Sequence, residues 1–202
     1  MAPEADDPAP EIRGPALARC WSTLWKVAHG DTEGAPEAVR YLREEAPLPY
    51  RYSVCAGLIE VLVAEQEGGD MRSAVARLDS IVRPVPMESP GFSLERDGTH
   101  WIDNLVLSRK LVQVGDTAKA LAAARRAKPW NSFQTDVSGG IFVDLLREEA
   151  RLTALVGDTA GAIDAYQYYF ALRDTRPESP HWAAQWDSMR VEYGALTGVE
   201  GP

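Results

Sequence analysis

What this chain of 202 residues has little of narrows its function more than what it has in plenty. It carries two cysteines, Cys20 and Cys55, and three histidines, His29, His100 and His181. The histidines are far apart, and no His-x-x-x-His or Cys-x-x-Cys spacing occurs, so the sequence offers no zinc or other metal site. Each cysteine sits in an apolar, helix-like stretch. A disulfide between them is possible, but the expectation is two small buried thiols. Positive charge is not in excess: the net charge is −9. Nucleic-acid binding needs a basic footprint to release counterions, so no nucleic-acid partner is expected. Anionic lipid is disfavoured on the same ground. No apolar run approaches the roughly 18 residues that span a bilayer, so no membrane insertion is expected.

Lysine is scarce, with 4 against 17 arginines. Either the arginines are tied into local pairs with carboxylates and rings, or codon usage sets the ratio. The start, Met1 to Pro10, holds three prolines and three acidic residues with no Lys, Arg or apolar block. That is not a signal peptide. Residues 1–14 read as a disordered, acidic, Pro-rich lead-in. As written, the chain is expected in the cytoplasm, unless it is a piece of a larger membrane protein.

Catalytic signatures are absent as well. There is no Gly-x-Gly-x-x-Gly, no phosphate-binding Gly-Lys-Ser/Thr loop and no Gly-x-Ser-x-Gly elbow. Glu44-Glu45 and Glu148-Glu149 are neighbouring acids, but adjacent residues point about 100° apart on a helix, so neither pair converges. They read as solvated helix surface. No enzyme activity, catalytic residue or cofactor is expected.

What is present is a phrase written four times: Gly30-Asp31-Thr32, Gly69-Asp70-Met71, Gly115-Asp116-Thr117 and Gly157-Asp158-Thr159. A small-then-aliphatic pair follows at one offset in the last three copies, Ala74-Val75, Ala120-Leu121 and Ala162-Ile163. In the first copy the pair is Ala38-Val39, three residues later. Recurrence about every 40 residues marks a repeat protein. Apolar residues at helical spacing precede each phrase, from Leu17 to Ala28, Leu58 to Val63, Trp101 to Val112 and Phe142 to Leu155. Second helical stretches follow, Ala38 to Glu45, Ser73 to Val82, Ala118 to Ala127 and Ala160 to Arg173. Pro47, Pro84, Pro129 and Pro177 stand just past them, where they stop a helix. The glycine ends the first helix at positive φ, and the Asp or Thr caps the next.

The unit is therefore helix, tight turn, helix. Longer connections are expected from Pro84 to Gly98 and from Pro129 to Gly140. The exposed aromatics of the second, Trp130 and Phe133, with Ser89 to Phe92 of the first, form a candidate partner patch. A last helix from Ser179 to Leu196 carries Trp182, Trp186, Met189, Tyr193 and Leu196 on one stripe. A stack of hairpins needs a terminal helix to cover its open face, so this stripe reads as a lid on the core. His100 and His181 stand at helix starts, in surface or capping roles.

At these residues the chain resembles the tetratricopeptide repeat family. Ala150, Gly157-Asp158, Ala162-Ile163 and Tyr166 carry the likeness in the fourth unit, and Ser108, Gly115-Asp116 and Ala120-Leu121 in the third. Gly69-Asp70 and Ala74-Val75 carry it in the second, where Leu62 takes the small position; Thr23 takes it in the first. The units exceed the family's 34 residues, so the loops are expanded. The end of the chain is also similar to repeat regions that follow kinase or DNA-binding modules in bacterial regulators. The resemblance implies an all-α, right-handed superhelix of about four hairpins over residues 15–196, with a capping helix and a flexible tail at 197–202. It implies a concave groove lined by the first helices, where a protein or peptide partner binds. Counted back from each turn glycine, the groove positions are Leu17, Cys20 and Leu24, then Ala56, Ile59 and Val63, then Ile102, Leu105 and Arg109, then Asp144, Arg147 and Arg151. Ile59, Val63, Leu105, Arg109, Arg147 and Arg151 are the candidate partner-binding residues. The family's Asn-Lys carboxylate clamp is absent. The expected function is a non-catalytic interaction scaffold; the alternative is a regulatory or sensory repeat domain of a larger bacterial signalling protein.

Overall fold

Secondary structure among the described residues is helical throughout, and the helices divide at the turns the repeat predicts. The computed structural model describes residues 10–44, 49–82, 94–127, 136–171 and 180–199. The side chains of 10–14, 49, 94–101, 136–142 and 181 lie outside that description. The order is α1 (Pro10–Ala28), α2 (Ala35–Glu44), α3 (Pro49–Glu67), α4 (Met71–Ile81), α5 (Leu94–Gln113), α6 (Thr117–Arg126), α7 (Asp136–Leu155), α8 (Thr159–Ala171) and α9 (Pro180–Thr197). The chain divides into two compact units, Met1–Arg83 with α1 to α4 and Pro84–Pro202 with α5 to α9.

The turn chemistry repeats atom by atom. Gly30, Gly115 and Gly157 have φ of +87°, +81° and +86°. The next amide, on the Asp, donates to a carbonyl five residues back: Asp31 to Lys26 (3.0 Å), Asp116 to Leu111 (2.9 Å) and Asp158 to Thr153 (3.1 Å). This 6→1 bond, with the glycine amide's own bond three residues back, satisfies carbonyls that a helix end otherwise leaves open. The same Asp then starts the next helix. Asp116 Oδ1 accepts from the Lys119 amide at 3.2 Å, and Asp158 Oδ1 from the Gly161 amide at 3.0 Å. One residue thus closes one helix with its backbone and opens the next with its side chain.

The second copy departs from the expected register. The positive-φ residue is Gly68 (+67°), and Gly69 supplies the amide that bonds back to Ala64 at 2.8 Å. Asp70 still caps, its Oδ1 accepting from the Ser73 amide at 3.0 Å. The Ser73 hydroxyl and then its amide bond to this carboxylate and hold its pKa below the usual range. With two glycines in a row, only the conformation tells which one turns the chain. In the first copy Asp31 does not cap α2. Its Oδ1 accepts from the Glu33 amide at 3.1 Å, and Gly34, at φ +76°, precedes the helix. The three inserted residues part the end of α1 from the start of α2.

Two expected loops are shorter than their composition implies. α5 begins at Leu94 and α7 at Asp136, so Gly98, Gly139 and Gly140 are helical. His100 therefore lies inside α5, whereas His181 is at the start of α9 as expected. α1 begins at Pro10, inside the 1–14 lead-in, and α9 runs one residue past 196. Pro47, Pro84, Pro129, Pro177, the patch of Trp130 and Phe133 with Ser89 to Phe92, and the tail from 200 onward lie outside the described residues.

Both units pack by one rule. In the first, α1 packs on α2 and α3, α2 on α3, and α3 on α4. In the second, α5 packs on α6 and α7, α6 on α7, α7 on α8, and α8 on α9. The repeated small residues sit at the close approaches: Ala38, Ala74, Ala120 and Ala162 are buried, as are Ser108 and Ala150. The α9 stripe closes the second unit. Trp186 and Met189 are buried with Tyr166, Tyr169 and Phe170, and Trp182, Tyr193 and Leu196 pack against them. Ring contacts of 5.0–6.3 Å join Trp186, Phe170, Tyr169, Tyr166 and Tyr193.

In the first unit the expectation of free thiols fails. Cys20 and Cys55 form a disulfide between α1 and α3, with a Cα–Cα distance of 6.1 Å. Their neighbours include Ala16, Val27, Tyr52 and Ile59. Loop closure over the 35-residue separation restrains the unfolded chain by about 4 kcal/mol in the chain-entropy account. Sequence spacing does not reveal such a pair, because it does not say which helix faces meet.

The register makes a sharp expectation. Gly68→Ala forces a left-handed conformation on a residue with a Cβ, at about 1–2 kcal/mol. Gly69→Ala places its Cβ at an ordinary 3.5 Å from Ala64 and should stay within about 0.5 kcal/mol of the parent. Urea midpoints of the two variants decide it, and the reverse order would restore Gly69 as the turn residue.

Candidate binding face

The first helices α5 and α7 and the closing helix α9 present a polar seam, and three of the predicted site residues fall on it. Asp144, Arg147 and Arg151 are spaced by three and four on α7, so they share one face. On α9, Gln185, Ser188 and Glu192 repeat that spacing and meet them. Gln185 Nε2 donates to Asp144 Oδ1 at 2.6 Å. Arg147 Nη2 donates to Ser188 Oγ at 2.8 Å and to Glu192 Oε1 at 3.1 Å. The other Glu192 oxygen accepts from the Tyr166 hydroxyl at 2.7 Å. Arg109 reaches over from α5, its Nη2 3.7 Å from Asp144 Oδ2. Arg151 Nη2 lies 2.7 Å from Glu148 Oε1.

The expected basic patch is thus neutralised. Three arginines meet three carboxylates, Asp144, Glu192 and Glu148. Arg147, through Nη2, ties α7 to α9. Arg109 is the most exposed of the three, at 52%, with the longest contact. Glu148 and Glu149, expected on solvated surface, are buried. Arg151 covers the first, and Arg125 from α6 reaches the second at 3.3 Å. Buried carboxylates are tolerated when a cation and hydrogen bonds offset their lost hydration. Among the described residues four further arginine–carboxylate contacts are made, Arg19 with Glu37, Arg40 with Glu44, and Arg43 and Arg77 sharing Glu60.

Among the described residues two buried polar atoms of the seam, Gln185 Oε1 and Arg147 Nε, have no protein partner. Tyr166 responds most strongly to the seam. Burial, and then the hydrogen bond to Glu192, push its phenol well above its usual value.

The first-unit site residues fare differently. Ile59 is fully buried in the core, and Val63 packs against that core half-buried. Ile59 therefore has no surface for a partner. Its assignment counted from Gly69; counted from the true turn glycine, Gly68, the same positions are Cys55, Leu58 and Leu62. A slip of one residue turns a helix by 100°. Leu58 and Leu62 are half-buried; Leu62 matches the half-buried Leu24 of α1, whereas Leu58 matches the buried Cys20. The small position likewise moves from Leu62 to Val61, which is buried. Cys20 is in the disulfide and Ala56 is buried. In the second unit Leu105 is buried with Ala127 and Leu145, and Ile102 is exposed. The seam residues on α9 were missed in the sequence. Their signal is a polar stripe, Gln185, Ser188 and Glu192, running beside the aromatic one.

A shallow cleft of about 240 Å³ lies between α1 and α2, lined by Arg19, Lys26, Glu33 and Glu37 among others. Its charges balance, so it favours no ion. Among the described residues no three His, Cys, Asp or Glu converge as metal ligands, and no helix is long and apolar enough to cross a membrane. Comparison with family models, curated proteins and solved structures finds no significant match to this chain.

The raised Tyr166 phenol sets a pH dependence. In the unfolded chain it ionises near pH 10. A group with a raised folded pKa contributes stability fully below its unfolded pKa and loses it as pH rises further. The stability advantage of the parent over Tyr166→Phe, about 1 kcal/mol at pH 8, should shrink and then reverse between about pH 10 and 11.5. Urea unfolding across that range checks it; a constant difference would mean that neither burial nor Glu192 raises the phenol in the folded chain.

Proposed function

We propose that this chain is a non-catalytic interaction scaffold built of tetratricopeptide-like hairpins, and that a protein or peptide partner docks on the polar seam of α5, α7 and α9. The observation that carries this reading is the repeated turn, in which a left-handed glycine and a capping Asp join two helices whose packing recurs in both units. Architecture of this kind presents first helices side by side as a binding surface. Arg109 is the anchor best placed to exchange partners. Its contact with Asp144 is long and exposed, so a carboxylate of the partner replaces it at little cost. Arg147 is committed to Glu192 and serves the fold.

Cross-linking and pull-down identify the partner, and two variants then separate the roles. Arg109→Ala should weaken binding about tenfold with an unchanged unfolding midpoint. Arg147→Ala should lower the midpoint, at roughly 1–3 kcal/mol, because it leaves the Glu192 carboxylate without its cation. Full binding by Arg109→Ala removes the seam from the interface.

One observation favours the second reading, a regulatory or sensory domain of a larger signalling protein. Buried disulfides of the Cys20–Cys55 kind persist in oxidising compartments and are rare in the reducing cytoplasm. A sensory domain held outside a membrane meets that condition; the expected cytoplasmic location does not. Thiol trapping in intact cells, followed by mass spectrometry, should find both cysteines unreactive and bridged. Two free thiols in the cell would return the chain to the cytoplasm and to the scaffold reading alone.

A further inference from the structure

α1 is apolar on two opposite faces. Ala16, Cys20, Thr23 and Val27 form the inner stripe and are buried. The outer stripe is Ala18, Trp21, Trp25 and Ala28, all exposed, with the indoles 62% and 65% exposed. Its spacing of three, four and three is that of a coiled-coil seam. Among the described side chains of α1 the charges, Arg19 and Lys26, lie on the flank toward α2, where Arg19 meets Glu37 and Tyr41. The outer stripe and its edges, Leu17, Leu24, Ser22 and His29, carry no formal charge at neutral pH. An uncharged helix face with two solvent-exposed tryptophans marks an interaction surface.

The pattern also specifies the occupant. Ala-x-x-Trp-x-x-x-Trp-x-x-Ala reads the same from either end, centred on Thr23. A two-fold interface needs a patch complementary to itself. Laid antiparallel on a second α1, this stripe sets Trp21 against Trp25 of the other copy twice, and Ala18 against Ala28 twice. The small residues let the backbones approach at both ends while the indoles stack in the middle. Trp25 is also held in place: His29 stacks on it at a centroid distance of 4.3 Å, with Nδ1 2.7 Å from the Trp25 carbonyl oxygen. We propose that the partner of this face is a second copy of the chain, paired antiparallel through α1. Four indoles about two-thirds exposed supply roughly 500 Å², near half of what the smallest specific interfaces bury. The leucine and alanine edges bring the total to the low end of that class, so the dimer is weak, with dissociation in the micromolar range. The proposal is independent of the seam on α5, α7 and α9.

Sedimentation equilibrium of the full chain from about 1 to 300 μM tests it. The parent should pass from monomer to dimer, and Trp25→Ala should shift the transition at least tenfold to higher concentration with an unchanged far-ultraviolet circular dichroism spectrum. Orientation is read separately. Mixed Ala18→Cys and Ala28→Cys chains should oxidise to a heterodimer, while Ala18→Cys alone should cross-link poorly, the native cysteines being bridged. A parent that stays monomeric to 300 μM overturns the proposal, as does a dimer that survives Trp21→Glu with Trp25→Glu. Efficient Ala18–Ala18 cross-linking overturns the antiparallel arrangement. A monomeric parent whose tryptophan emission shifts only with another protein bound would assign the face to that protein and overturn self-pairing.

Discussion

Most of this fold hangs on a helix being ended and the next begun with three residues between them. A glycine at positive φ lets the following amide reach back five residues, and before α6 and α8 the aspartate that owns that amide caps the next helix. The bonds are worth about 1 kcal/mol each. Their larger effect is geometric. With so short a turn the second helix folds back on the first, and the residue four past the Asp enters the gap between them. That residue is Ala74, Ala120 or Ala162, because nothing larger fits where the backbones approach. Where three residues are inserted, as before α2, the cap passes from Asp31 to the Gly34 segment, and Ala38 still reaches its buried place.

The two units are fastened by different chemistry. In the first, a covalent bond joins α1 to α3 inside an aliphatic core. In the second, aromatic packing under α9 is reinforced by a polar seam in which Arg147, Glu192 and Tyr166 satisfy one another. The seam explains how an acidic chain keeps carboxylates beneath its surface. Each is matched by an arginine, and a guanidinium sheds water more readily than an ammonium. The scarcity of lysine has its physical counterpart in these pairs.

Much of this was legible in the sequence. Hydrophobic period, proline placement and the Gly-Asp phrase located the nine helices of the described residues, and the stripe from Trp182 to Leu196 packs as a lid, as read. Helix starts at Leu94 and Asp136 were hidden by glycines, which composition assigns to loops. The candidate site was less legible. Arg109 and Arg147 fall on the seam as counted, but their neutralisation by Asp144 and Glu192 depends on the approach of helices far apart in sequence. Ile59 was misplaced because Gly68 and Gly69 are chemically identical, and only the conformation of the finished turn distinguishes them.

The sequence by itself determined what is local: where helices begin and end, which residues cap them, and which face of each is apolar. Such features depend on contacts within four or five residues and survive being read one segment at a time. The tertiary structure alone decided the partners: that Cys20 meets Cys55, that Glu148 and Glu149 are buried beneath arginines, and that Gln185, Ser188 and Glu192 answer Asp144 and Arg147. Those pairings span up to 45 residues. They depend on the rotation of each helix about its axis, where one residue is worth 100° and one extra glycine suffices to change it.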